Sequence, residues 1–149
     1  MQLVTVNKQF FEECKKYGTD RELLCDKAGR PCVLILSLIY KGNKRTFVVP
    51  LRSNISPNAP KQQYFALPPN AMTKPGNRHG VHYIKLFPIH KKYIQPYRIS
   101  KSTYLKMIKS ILDKNEEKIV SACQEYLSEY EGGQGSYMTP DIDGILSWL

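Results

Sequence analysis

The sequence predicts an α+β fold: a strongly curved, mostly antiparallel sheet or small barrel flanked by helices, with a long C-terminal helix. Three observations lead there. Short apolar or alternating runs recur from residue 2 to residue 87. Most are separated by Gly, Pro and Asn turns rather than by helical stretches, so neighbouring strands pair antiparallel. Apolar residues then fall at 3–4 residue spacing from Tyr104 to Leu127, which reads as helix.

Gln2–Val6 alternates like a short strand. Asn7 can cap a helix over Lys8–Tyr17 that carries Phe10, Phe11 and Cys14 on one side and stops at Gly18. Residues 19–30 are polar and turn-rich. Cys32–Tyr40 and Arg45–Leu51 are β-branched apolar runs, and Gly42-Asn43 between them reads as a two-residue hairpin turn. The first run is apolar on both faces, so it belongs at the centre of the sheet. Gln63–Leu67 reads as a third strand of this group, and Val81–Phe87 as a fourth. Alternation there puts Val81, Tyr83, Lys85 and Phe87 on one face and His82, Ile84 and Leu86 on the other. Pro96 argues against a continuous helix over residues 89–99. Ser100 or Ser102 caps the long helix, and Asn115 marks a break or kink in it. Thr139-Pro140-Asp141 starts a last short helix with Ile142, Ile145, Leu146 and Trp148. A chain of 149 residues suits one compact domain.

The charges are unevenly placed. The chain has 22 Lys and Arg against 13 Asp and Glu, a net charge of +9. From Lys27 to Leu112 there are 16 Lys and Arg and not one carboxylate. All three histidines, His79, His82 and His90, lie in the same block. The block therefore offers no Asp/Glu pair for Mg²⁺, which weakens a two-metal nuclease, and no glycosidase pair either. It favours a polyanion, with nucleic acid first and an anionic membrane surface second. The acidic tail from Asp113 onward is expected to lie away from that partner. No metal ion or cofactor is expected. No segment reaches 18 apolar residues, and Met1–Phe11 does not read as a secretory signal. Cys14, Cys25, Cys32 and Cys123 match no zinc spacing, so buried free thiols in a cytoplasmic protein are expected rather than two disulfides.

Four constellations carry chemistry. The first is the basic, aromatic surface of the central block, where six of the ten tyrosines interleave with Lys and Arg. Lys and Arg suit phosphates and flat rings suit unpaired bases, although any one tyrosine is as readily a core residue with a polar tip. The second is Leu51-Arg52-Ser53-Asn54, where a guanidinium, a hydroxyl and an amide converge at a strand end and can grip a phosphate. A lone serine there is more often a turn residue. The third is Arg30, just before the central strand, either a solvated charge or a clamp across from Ser53. The fourth is His82, Tyr83 and Lys85. A strand histidine is commonly structural, yet imidazole also moves protons near neutrality, and a lysine on an apolar face must snorkel or meet an anion.

These residues resemble the ToxN/AbiQ family, the endoribonuclease toxins of type III toxin–antitoxin systems, and are most similar to its CptN-like branch. The resemblance runs in order through Leu3–Phe11, Arg30–Leu34, Tyr40–Lys44 with Phe47–Ser53, Gly80–Lys85 with Pro88-Ile89, and Tyr104–Ile108 with Asn115–Ile119. Arg52 stands where the family often has Ser or Thr, and residues 54–80 lack the family's Lys-rich, Trp-containing stretch. The resemblance implies a MazF/Kid-like curved sheet and metal-independent RNA cleavage. It implies an RNA antitoxin of pseudoknot repeats, cut from a precursor by the toxin and bound to it in a closed protein–RNA assembly. Cellular or phage mRNA would be the other substrate.

The expected reaction is attack of a substrate 2′-OH on the adjacent phosphate, leaving a 2′,3′-cyclic phosphate. Arg30 and Lys85, with Arg52 as a further candidate, would stabilise the developing charge, and Ser53 would hydrogen-bond or relay a proton. His82 or Tyr104 is the candidate for acid/base work. Phosphate tracking falls to Lys41, Lys44, Arg45, Asn54, Arg78, Lys91, Lys92 and Arg98, and base stacking to Tyr40, Tyr83, Tyr93 and Tyr97. The alternative of another class is a non-catalytic RNA-binding protein, such as a translation or ribosome-associated factor. A DNA-binding regulator ranks third, because no helix-turn-helix spacing is visible.

Overall fold

A computed structural model describes residues 1–23, 33–97, 99 and 102–149. Arg30 and Arg98, with Cys25, Cys32 and Ser100, lie outside the described residues. Among the described residues the fold is α+β, with seven strands and four helices in the order β1 (Gln2–Val6), α1 (Lys8–Lys16), β2 (Val33–Tyr40), β3 (Asn43–Ile55), β4 (Tyr64–Leu67), β5 (Arg78–His82), β6 (Phe87–Pro88), β7 (Ile94–Pro96), α2 (Thr103–Lys114), α3 (Glu116–Glu131) and α4 (Ile142–Trp148). The sheet is antiparallel in every pairing, in the order β4-β5-β3-β2-β1-β7, with β6 set against β3. Its outer strands do not meet, so of the two expected shapes the open sheet is the one formed.

Local chemistry explains most elements. The Asn7 side chain accepts the Phe10 N–H and starts α1, and Gly18 leaves it at a φ of 66°. The strand β2 lies between β1 and β3, as its two apolar faces require. Leu34, Leu36 and Leu38 enter one core with Phe47, Val49 and the buried residues of α2 and α3. Val4, Phe10, Val48, Phe87 and Trp148 form a second core on α1 and α4. The hairpin turn is Lys41-Gly42 rather than Gly42-Asn43, because Tyr40 pairs with Asn43. Both turn residues have positive φ, 49° and 77°, the backbone of a type I′ turn.

One further expectation is corrected. The strand over Val81–Phe87 ends at His82, and Tyr83–Lys85 forms one turn of 3₁₀ helix before β6. All residues from His79 to Ile89 are buried, so no solvent face existed to fix the alternation. The long helix breaks at Asn115, whose amide donates to the Ile111 carbonyl; Ser102 is its cap, accepting the Leu105 N–H. The strand β7, hidden among basic residues, pairs with β1. Cys14 and Cys123 are buried free thiols, and burial pushes each up to about 12. No described helix is long and apolar enough to cross a membrane.

Candidate active site

The segment Leu51-Arg52-Ser53-Asn54 is not a strand end. It lies inside β3, at a bulge against β5: Arg52 pairs with Gly80, Ile55 with Arg78, and the register shifts between them. Three residues advance on β3 while two advance on β5. Such a bulge unpairs a short stretch and re-aims its side chains, a frequent device beside active sites. The approach is tight, because a Cβ on Gly80 would stand 2.3 Å from the Phe65 carbonyl oxygen of β4.

On one side of the bulge the charges collect. The Arg52 guanidinium lies 3.3 Å from His82 Nδ1. Arginine can only donate, so Nδ1 accepts and the ring proton sits on Nε2. His82 Nε2 is itself buried, with no partner among the described residues. Burial, then the charges of Arg52 and Lys85, push the imidazole down to about 3. His82 is therefore neutral at pH 7 with its one lone pair occupied, and the general-base role expected of it does not fit. Lys85 is only 5% exposed, at the end of the 3₁₀ turn. Its ammonium meets Glu22 Oε2 at 2.7 Å. The anion that such a lysine must meet is thus supplied by the chain itself.

Glu22 reaches Lys85 through a turn anchored on three sides. Thr19 Oγ1 donates to the Cys14 carbonyl and accepts from Trp148 Nε1, at 3.2 and 3.0 Å. Arg21 lies 3.7 Å from Asp141, at the start of α4. Leu23 packs into the second core, and its N–H donates to the Asp20 carbonyl. Between them Glu22 takes a φ of 58°, left-handed backbone that a glutamate rarely adopts. Lys85, by hydrogen bond and by charge, holds the Glu22 carboxyl below its ordinary value, and Arg52 adds to that.

Ser53 sits at the bulge in a second, neutral network. Asn70 Nδ2 donates to Ser53 Oγ at 2.9 Å, which leaves the hydroxyl proton without an acceptor among the described residues. Asn70 is oriented by the Met72 N–H and the Thr73 hydroxyl on its Oδ1. Asn54, expected at a phosphate, is spent on the same loop: it bonds the Met72 carbonyl, the Lys74 N–H and the Asn77 amide. Tyr104 does not join either network. Its hydroxyl donates to the Pro68 carbonyl at 2.8 Å beside His79 Nδ1 at 3.0 Å, and burial raises it, so it is no base at neutral pH.

The stacking candidates divide sharply. Tyr40, Tyr83 and Tyr93 are 2%, 4% and 5% exposed, within the cores, so they offer no platform to a base. Tyr40 donates instead to Asp143 at 2.9 Å. Tyr97 alone of the four keeps a partly exposed ring. Lys41 is exposed but pairs with Asp143 at 3.0 Å, and its N–H donates to Glu131. The acidic tail thus folds back onto the tip of the β2–β3 hairpin rather than standing clear of the basic block. Lys44, Arg45 and Lys91 line a groove of about 340 Å³ with His90, Ile89 and Leu146. Arg78 and Lys92 are exposed outside it. Among the described residues no three His, Cys, Asp or Glu side chains converge to hold a metal ion.

Glu22 and Asn70 are the functional candidates the sequence did not reveal. Asn70 carried a faint signal as the polar residue after Pro68-Pro69. Glu22 carried one as an acid close outside the carboxylate-free block, but its partner lies 63 residues away.

No family model matches this chain, and no curated protein sequence does. A solved structure does: that of ToxN, described as "A processed non-coding RNA regulates a bacterial antiviral system", at a TM-score of 0.71 and 16% identity. The alignment covers 99% of this chain and 96% of that one. The likeness spans nearly the whole of both chains, and the chain has a ToxN-like fold.

Proposed function

We propose that this chain is the toxin of a type III toxin–antitoxin system, with a role in antiviral defence, and that it cleaves RNA without a metal ion. One observation carries the reading: a carboxylate-free basic block of ToxN-like fold holds Arg52 next to Ser53 at the β3 bulge, with Arg52 and Lys85 both bearing on His82. The substrate 2′-OH attacks the neighbouring phosphate and leaves a 2′,3′-cyclic phosphate and a 5′-hydroxyl. Lys85 and Arg52 stabilise the charge that builds on the phosphorane oxygens, and the free Ser53 proton bonds one of them. Arg30, from the segment before β2, is proposed to join them. The basic groove of Lys44, Arg45 and Lys91, with Arg78, Lys92 and Tyr97, tracks the strand. The partner is an RNA antitoxin of pseudoknot repeats, cut from its precursor and held in a closed assembly with the toxin in the cytoplasm.

The purified chain is expected to cleave RNA fully in excess EDTA, yielding cyclic-phosphate ends; loss of cleavage on chelation would contradict the mechanism. The rival, a non-catalytic RNA-binding protein, shares the charge map. Induction without the upstream RNA separates them: growth arrest with fragmented mRNA supports the toxin, and healthy growth the binder.

A further inference from the structure

The reaction just proposed needs a group that removes the 2′-OH proton, and the described residues leave few choices. His82 has its lone pair on Arg52. Tyr104 is a half-buried phenol whose hydroxyl donates to the Pro68 carbonyl. Arg52 has no basic form at neutral pH, and Lys85 is the cation of an ion pair. Ser53 is a hydroxyl without a basic partner, since Asn70 donates to it. The remaining group is Glu22, the one carboxylate among the described residues that contacts this cluster.

We infer that Glu22 is the general base of the proposed RNA cleavage, delivered to the site by the turn after α1. The inference rests on the ribonuclease reading above. Its geometry is particular. Lys85 is buried while the Glu22 side chain is 39% exposed, so the carboxylate stands on the solvent side of the lysine, where a phosphate drawn to Lys85 would arrive. One carboxylate oxygen, Oε2, carries the ion pair. A carboxylate has a second oxygen with its own lone pairs, enough to accept a proton while the first stays paired. The left-handed backbone at Glu22 and the three anchors around it fix this placement.

The step balances as follows. Glu22 takes the proton of the 2′-OH as the O2′–P bond forms. The P–O5′ bond breaks, the departing O5′ takes a proton from water, and Glu22 returns its proton to solvent. The groups facing Glu22 are Lys85 from the 3₁₀ turn, Arg52 from β3 and Arg21 from its own segment, and all three are positive. They keep it ionised well into the acid range, so wild-type cleavage holds its rate across neutral pH and falls only below the ordinary carboxylate range.

Glu22→Gln keeps the shape and an acceptor for Lys85 but cannot take the proton. It is expected to bind an RNA oligonucleotide as tightly as the wild type or tighter, and to cleave it about 10²–10⁴-fold more slowly. Glu22→Ala is expected to be equally slow and to regain cleavage in proportion to added formate, which a structural role would not produce. A wild-type chain that cleaves while Glu22→Gln cleaves at the same rate overturns this inference alone. The same holds for a Glu22→Gln whose loss lies entirely in RNA affinity, or for a Glu22→Ala that formate leaves unchanged. A wild-type chain that does not cleave RNA overturns the ribonuclease reading and the inference with it.

Discussion

Lys85→Met is expected to fold as well as the wild type or better and to lose RNA cleavage by about two to three orders of magnitude. The two halves follow from the same geometry. Lys85 is 5% exposed, so its ammonium was desolvated to reach Glu22, and an unbranched apolar side chain of similar length fills the same space. The Glu22 carboxylate left behind is on the solvent side, so no charge is stranded in the interior. The phosphorane of the proposed reaction, by contrast, loses a nearby cation, and nothing in the methionine replaces it. Urea unfolding and single-turnover cleavage of one RNA measure the two halves. A variant that unfolds early would make Lys85 a structural residue, and one that cleaves normally would remove it from the reaction.

The pair also sets a sign for acid stability. Because Lys85 lowers the Glu22 carboxyl in the folded chain, the pair's contribution is present above the ordinary carboxylate value of 4.5 and is lost as pH falls through the lowered one. Lys85→Met abolishes that share. His82 acts in the same direction over a wider window. Its contribution is whole above about 6.5, and declines as pH falls toward about 3, because the unfolded imidazole takes up a proton that the folded one refuses.

Gly80→Ala is expected to cost the fold about 3 kcal/mol or more and to take cleavage with it. An added methyl would stand 2.3 Å from the Phe65 carbonyl oxygen and 3.1 Å from its carbon. Both are backbone atoms of β4, held by the β4–β5 pairing, so no side chain can swing aside. The relief has to come from separating β5 from β4 or pushing it on β3, where Gly80 faces Arg52. Either shift disturbs the bulge that presents Ser53. A urea midpoint unchanged from the wild type would show that the strands yield more easily than their pairing implies.

The legible part of this fold was the part with one solvent face or a local cap. Asn7, Ser102 and Asp141 each accept an N–H from the first turn of their helix, as short polar side chains do at those positions. The β2–β3 hairpin followed from two apolar runs and an intervening glycine, with its turn one residue away from where the sequence put it. The run from His79 to Ile89 failed as a continuous strand because it is buried throughout, and a run without a polar face fixes neither period nor register. Tyr40, Tyr83 and Tyr93 were misplaced for a related reason: a tyrosine beside a lysine reads the same whether its ring is outside or inside. Ser53, Arg52 and Lys85 were visible as candidates because each was an odd residue for its local setting. The Lys85–Glu22 pair was not, since it depends on a left-handed glutamate from a distant turn.

The central claim is that the bulge of β3 is a ribonucleolytic site, and Ser53→Ala tests it most directly. The substitution removes one hydroxyl from a half-buried position whose partner, Asn70, keeps its contacts to Met72 and Thr73. RNA binding and single-turnover cleavage are measured on the same oligonucleotide in EDTA, with saturating protein. The account predicts unchanged binding with cleavage abolished, and loss of toxicity on induction. A Ser53→Ala chain that binds, cleaves and arrests growth like the wild type would contradict it.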